Sequence, residues 1–83
     1  MFIRTQSNRT IYNTKDILKF TKHNEILQGN YCVSIWTDIN TRIDLCIYDN
    51  KEDRDEAWNV LCEGLAKGAT MVDYYRGEVD DKN

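Results

Sequence analysis

His23 is the only imidazole in this 83-residue chain, and so the first place to look for chemistry. No serine or cysteine stands with it in a local motif, so nucleophilic catalysis has no support in the sequence. It reads as a surface turn residue. Asp49, Asp53 and Asp55 have the spacing of a cation-binding loop, but Lys51 fills a ligand position and the required glycine is missing. Those carboxylates fit better as favourable charge at the start of a helix. Gly64 and Gly68 fall on or just after a helical pattern, not in a phosphate-binding loop. Cys32, Cys46 and Cys62 are odd in number and lack CxxC spacing. They read as reduced thiols acting as small buried hydrophobes. No catalytic residue, metal site or cofactor is expected, and the chain reads as a non-enzyme.

The elements that would position any site centre on residues 31–66. Tyr31–Trp36 and Ile43–Tyr48 are apolar runs of strand length, joined by Thr37–Arg42. Placing Val33 and Ile35 on one face with Ile43, Leu45 and Ile47 requires an odd-length connection, of three or five residues. Cys32, Ser34, Trp36, Asp44, Cys46 and Tyr48 then share the opposite face, which is too apolar to be left to solvent. A helix should follow. Asn50 is a good N-cap with Asp53 at the capping-box position, and Gly68 suits the stop. Its sheet-facing stripe would be Ala57, Val60, Leu61, Gly64 and Leu65, with Trp58 and Cys62 widening the apolar arc.

On either side lie shorter pieces. Phe2–Gln6, a turn at Ser7-Asn8-Arg9, and Thr10–Asn13 read as a hairpin. Thr14–Leu27 is open between a helix capped by Thr14 and containing Ile17 and Leu18, and a strand on the alternation of Leu18 and Phe20. It is read as a strand broken near His23-Asn24, with Gln28-Gly29-Asn30 as a turn. Ala69–Tyr75 reads as a short edge strand or a docked extended segment. The expected class is α+β: an antiparallel meander of about five strands packed by one C-terminal helix at roughly residues 51–67. One domain spans residues 1–76, and residues 77–83 read as a flexible acidic tail.

The net charge is −3, with no proline, four glycines and 30% charged residues. No apolar run is long enough to cross a membrane. The start, Met1-Phe2-Ile3-Arg4, has no secretory pattern, so a cytoplasmic location is expected. Charge is uneven: Arg4, Arg9, Lys15, Lys19 and Lys22 face two acids in the first thirty residues, while residues 49–83 hold ten acids against five bases. Without a helix–turn–helix, zinc-finger or RNP pattern, this favours contact between the protein's own basic and acidic parts over nucleic-acid binding.

The opening Phe2-Ile3-Arg4-Thr5-Gln6, followed by Ile11-Tyr12-Asn13, resembles the "IRTQ…N" start of small uncharacterised proteins of Firmicutes and their phages. Leu45-Cys46-Ile47-Tyr48 followed by Ala57-x-x-Val60-Leu61 is similar to that group's "LGxY…AxxVL" passage, with Cys46 where glycine is usual. The resemblance implies antiparallel strands plus one helix and a phage or mobile-element origin, and it supplies no catalytic residues. The favoured role is a self-associating interaction module that inhibits or redirects a host protein, as counter-defence proteins do. Trp36, Tyr48, Trp58, Cys46 and Tyr74 are its expected interface residues. The alternative is an oligomer that binds or sequesters a nucleotide-type ligand, with Arg4, Arg9 and Arg42 on the phosphate.

Overall fold

A computed structural model describes residues 1–80. Its strands are β1 (Phe2–Arg4), β2 (Ile11–Asn13), β3 (Lys19–Glu25), β4 (Asn30–Trp36), β5 (Arg42–Tyr48), β6 (Met71–Asp73) and β7 (Glu78–Asp80), with a single α-helix, α1 (Lys51–Lys67), between β5 and β6. The α+β class and the helix span agree with expectation. The strands, however, form two sheets: a four-stranded one in the order β2-β1-β6-β7 and a three-stranded one in the order β3-β4-β5. β1 and β6 pair in parallel, and the other neighbours are antiparallel. That parallel pair makes β6 an interior strand rather than an edge, and sets residues 2–4 beside residues 71–73.

Local chemistry accounts for the helix. The Asn50 side chain accepts from the Asp53 amide at 2.8 Å, capping the start beside Glu52 and Asp53. Gly68 ends it at φ 71°, a left-handed conformation that disfavours side chains, and the Ala69 amide returns to the Gly64 carbonyl at 2.9 Å. The buried line is Arg54, Ala57, Leu61 and Gly64. Leu65 and Cys62 are exposed, so the buried stripe is narrower than expected and runs one turn further back. Gly64 lies so close to β6 that a Cβ there would meet Val72 Cγ2 at 2.9 Å. Gly64→Ala is therefore expected to destabilise despite a helix-propensity gain of about 1 kcal/mol. In a double-mutant cycle read by urea denaturation, Val72→Ala should relieve part of that loss; an additive cycle would show that the two do not collide.

The core joins both sheets: Ile3 from one and Val33, Ile35, Leu45 and Cys46 from the other cluster with Ala57 and Leu61 of the helix. The β4–β5 loop has five residues, 37–41, between the paired Trp36 and Arg42, the longer of the two expected odd lengths. A bulge then changes the faces. Ser34 pairs with Asp44 but Val33 pairs with Cys46, leaving Leu45 as the extra residue. Beyond it the alternation inverts, so Cys46 and Tyr48 join the core side and Ile47 turns outward. The expected placement of Ile47 inside and of Cys46 and Tyr48 outside is thereby reversed.

Two further expectations change. β3 runs unbroken through His23-Asn24, preceded by a short 3-10 turn at Thr14–Asp16. Glu78–Asp80 of the expected tail is a strand paired with β6, while residues 81–83 lie outside the described residues. Asp73 makes that hairpin, because its carboxylate accepts from the Tyr75 and Arg76 amides at 3.0 and 3.1 Å and Gly77 supplies φ 68°. No helix among the described residues is long and apolar enough to cross a membrane.

Candidate functional site

The outer face of the three-stranded sheet collects the polar side chains of β3, β4 and β5. Ser34 donates to Asp44 Oδ1 at 2.6 Å, and Arg42 Nε lies 3.5 Å from the same oxygen. Arg42 Nη2 donates to Glu25 Oε1 at 2.7 Å, and His23 Nε2 lies 3.1 Å from that oxygen. The result is one chain of contacts, Ser34–Asp44–Arg42–Glu25–His23. Trp36 Nε1 donates to Thr21 Oγ1 at 3.0 Å beside it, with Lys19 Nζ 4.6 Å from the ring centroid.

The charges in this chain stabilise one another. The hydrogen bond from Arg42 holds the Glu25 carboxyl below the usual carboxylate range, with His23 adding to it, and Glu25 in turn raises the Arg42 guanidinium. Cys32 lies in the same face, fully buried; burial raises its thiol, and Asp44 and Glu25 raise it further. A raised thiol is a poor nucleophile. Ser34 is also fully buried, and its hydroxyl donates a hydrogen bond to the Asp44 carboxylate. This arrangement seals the sheet and orders it, which is what a satisfied polar network does. The outer face expected to be apolar is thus largely a polar cover.

A second feature is a cleft of about 210 Å³ between the start of α1 and the β6–β7 hairpin, lined by Tyr48, Asp53, Glu56, Val60, Tyr74 and Glu78 among others. Burial pushes the Tyr48 phenol up to about 12 and the neighbouring Cys46 thiol up to about 11. The Tyr74 phenol is also pushed up by burial, and it donates to the Ala57 carbonyl at 2.8 Å. The cleft is smaller than typical small-molecule sites, which run from roughly 300 Å³ upward. Its carboxylates repel phosphate.

The five expected interface residues are scattered. Cys46 is buried in the core, and Tyr48 and Tyr74 pack against it. Trp58 is half-buried on the helix with Lys22 Nζ 5.7 Å from its ring, and Trp36 closes one end of the polar face. The three arginines are not brought together either. Arg4 Nε is buried 3.5 Å from Asp73, an ion pair without hydrogen-bond geometry, while its Nη1 donates to Asn8 at 3.1 Å. Arg42 belongs to the other sheet and is held by Glu25 and Asp44, and Arg9 is exposed in the β1–β2 turn.

Sequence reasoning missed two features. Arg54 is buried: its Nη1 donates to Asn24 Oδ1 at 2.7 Å and its Nε to Asp55 at 2.8 Å, with its guanidinium 5.5 Å from the Tyr31 ring centroid. Its spacing was the available signal, since 54, 57, 61 and 64 form one helical line. The other is the hairpin tip between β3 and β4, where Ile26 is 89% and Leu27 102% exposed. The tip is ordered by the Gln28 amide donating to the Glu25 carbonyl at 3.2 Å and by Gly29 at φ 68°. At the other end of the sheet Ile39 is 80% exposed, on a loop pinned by Asp38, which accepts from Asn40 N at 2.8 Å and from the Thr41 hydroxyl at 2.9 Å.

Among the described residues no group of three or more His, Cys, Asp or Glu is placed to hold a metal ion. No family model, curated protein or solved structure matches the chain.

Proposed function

We propose that this chain works by docking: it is a small, self-associating interaction module that engages a host protein and inhibits or redirects it. The observation that carries the reading is the β3–β4 tip, where two large aliphatic side chains stand in water on a hydrogen-bonded turn. Apolar side chains held out on a hydrogen-bonded turn contribute nothing to the core; they suit insertion into a pocket of another protein. The reactive side chains of the polar face are meanwhile bonded to one another. The host-directed, phage-borne part of the reading rests on the resemblance of the "IRTQ" and strand-to-helix segments.

The test is affinity capture from host cells, comparing the parent with an Ile26→Ser, Leu27→Ser double variant. The tip lies outside the core, so the fold and thermal midpoint should stay within a few degrees of the parent. Loss of a specifically captured protein, by tenfold or more, is the expected result for removal of two apolar anchors at about 1 kcal/mol or more each. Undiminished capture would show that the tip is not the docking element.

A further inference from the structure

We propose that two copies of this chain join through the free edge of β3, antiparallel about Lys22, to form one continuous six-stranded sheet. The inference rests on the self-associating role proposed above and names the surface that performs it. The two edges of the three-stranded sheet are finished differently. On the β5 side, the Gln6 amide donates to the Leu45 carbonyl at 2.8 Å, its side-chain oxygen accepts from the Ile47 amide at 2.9 Å, and the bulge interrupts the ladder. Those devices blunt an edge. On the β3 side, seven residues pair with β4 without a bulge, and no strand among the described residues lies beyond them. Such an edge presents backbone donors and acceptors to a further strand.

Lysines on an edge strand ordinarily discourage pairing. Here both fold back over their own chain, one on each face of the sheet: Lys19 over Trp36 at 4.6 Å, and Lys22 over Trp58 at 5.7 Å and 3.9 Å from the Asp55 carboxylate. No strand among the described residues covers the edge, although Arg54 Nη1 reaches its backbone at the His23 carbonyl, 3.3 Å away.

Charge placement points to a second copy as the occupant. Lys19 lies three residues before Lys22 and Glu25 three after it. Antiparallel pairing of all seven residues with their own copy therefore sets Lys19 opposite Glu25 of the other copy at both ends, a favourable cross-strand arrangement for which Lys19 must leave Trp36. The like-charged Lys22 pair at the axis is offset by each ammonium lying 3.9 Å from its own Asp55 carboxylate. A two-fold axis through Lys22 makes the patch self-complementary, as a closed dimer requires. The axis also puts both helices on one face of the sheet. Trp58, which leans over Lys22, is continued along its helix by the exposed Cys62 and Leu65, so joining the edges carries the two apolar flanks toward each other.

Sedimentation of the full chain over a range of concentrations should show a reversible dimer. Lys19→Glu, which opposes like charges at both ends, should weaken it about tenfold while leaving circular dichroism unchanged. In a Cys62→Ser background, Lys22→Cys should give a covalent dimer on mild oxidation because symmetry-related residues meet at the axis, whereas Ile39→Cys at the far tip should not. A dimer insensitive to Lys19→Glu, or one without the Lys22→Cys cross-link, overturns the β3 edge and leaves self-association standing. A parent that stays monomeric overturns both, while capture through the Ile26-Leu27 tip is measured separately.

Discussion

Replacing Leu61 with alanine is expected to lower the unfolding free energy by about 3 kcal/mol, within the usual range for a fully buried leucine. Leu61 is 0% exposed, and its cluster is the one that unites Ile3 of the four-stranded sheet with Val33, Ile35 and Leu45 of the three-stranded sheet. Neither sheet has a core of its own. The four-stranded sheet is built from strands of three residues, and the three-stranded sheet depends on the helix to cover Val33 and Ile35. A chain of this length has roughly 4–12 kcal/mol of stability in total, so the loss is a large fraction. The thermal midpoint should fall by about 12 °C or more. Both sheets should melt in one transition, detected alike by far-ultraviolet circular dichroism and by tryptophan fluorescence. A fall of only a few degrees, or two separated transitions, would contradict a shared core.

Arg54→Ala should cost about 2–3 kcal/mol, from charge-assisted hydrogen bonds and from the packing of the arginine stem. At 4% exposure the guanidinium is clasped between Asn24 of β3, Asp55 of the helix and the ring of Tyr31. Removing it leaves Asn24 and the His23 carbonyl without this donor and leaves the half-exposed Lys22 contacts with Asp55 and Trp58 to tie the start of the helix to the outermost strand. The shape of the group matters as much as its charge. Arg54→Lys keeps the charge but has no planar fork to bond Asn24 and Asp55 together, so it should recover less than half of the loss in urea denaturation. Full recovery by lysine would mean that a point charge suffices and that the clasp geometry is incidental. Because β3 is the edge assigned to dimer formation, Arg54→Ala should also weaken the dimer.

Where a structural signal was local, the sequence was readable. Asn50 and Gly68 bracket the helix because each acts on backbone groups within four residues of itself. The Tyr31–Trp36 and Ile43–Tyr48 hairpin, with an odd-length loop, follows from alternation and the need to bring apolar faces together. The face assignment beyond Leu45 was not readable, since one extra residue inverts it and the bulge is fixed by Gln6, which is remote in sequence. The same holds for the polar cover: His23, Glu25, Arg42 and Asp44 look like scattered surface charges until three adjacent strands place them together. β7 was missed because its acidic composition outweighed the turn signal of Asp73 and Gly77.

What the amino-acid order determined by itself was the central elements: the two hairpin strands that extend, the one stretch that coils, and the caps that stop it. These are decided by backbone sterics and near-neighbour hydrogen bonds, which act over a few residues. Only the tertiary structure decided which face of each strand is inside, which edge of the sheet is closed, and which charges neutralise one another. Those outcomes depend on groups tens of residues apart meeting at distances of about 3 Å, and no pattern within a short window encodes such a meeting.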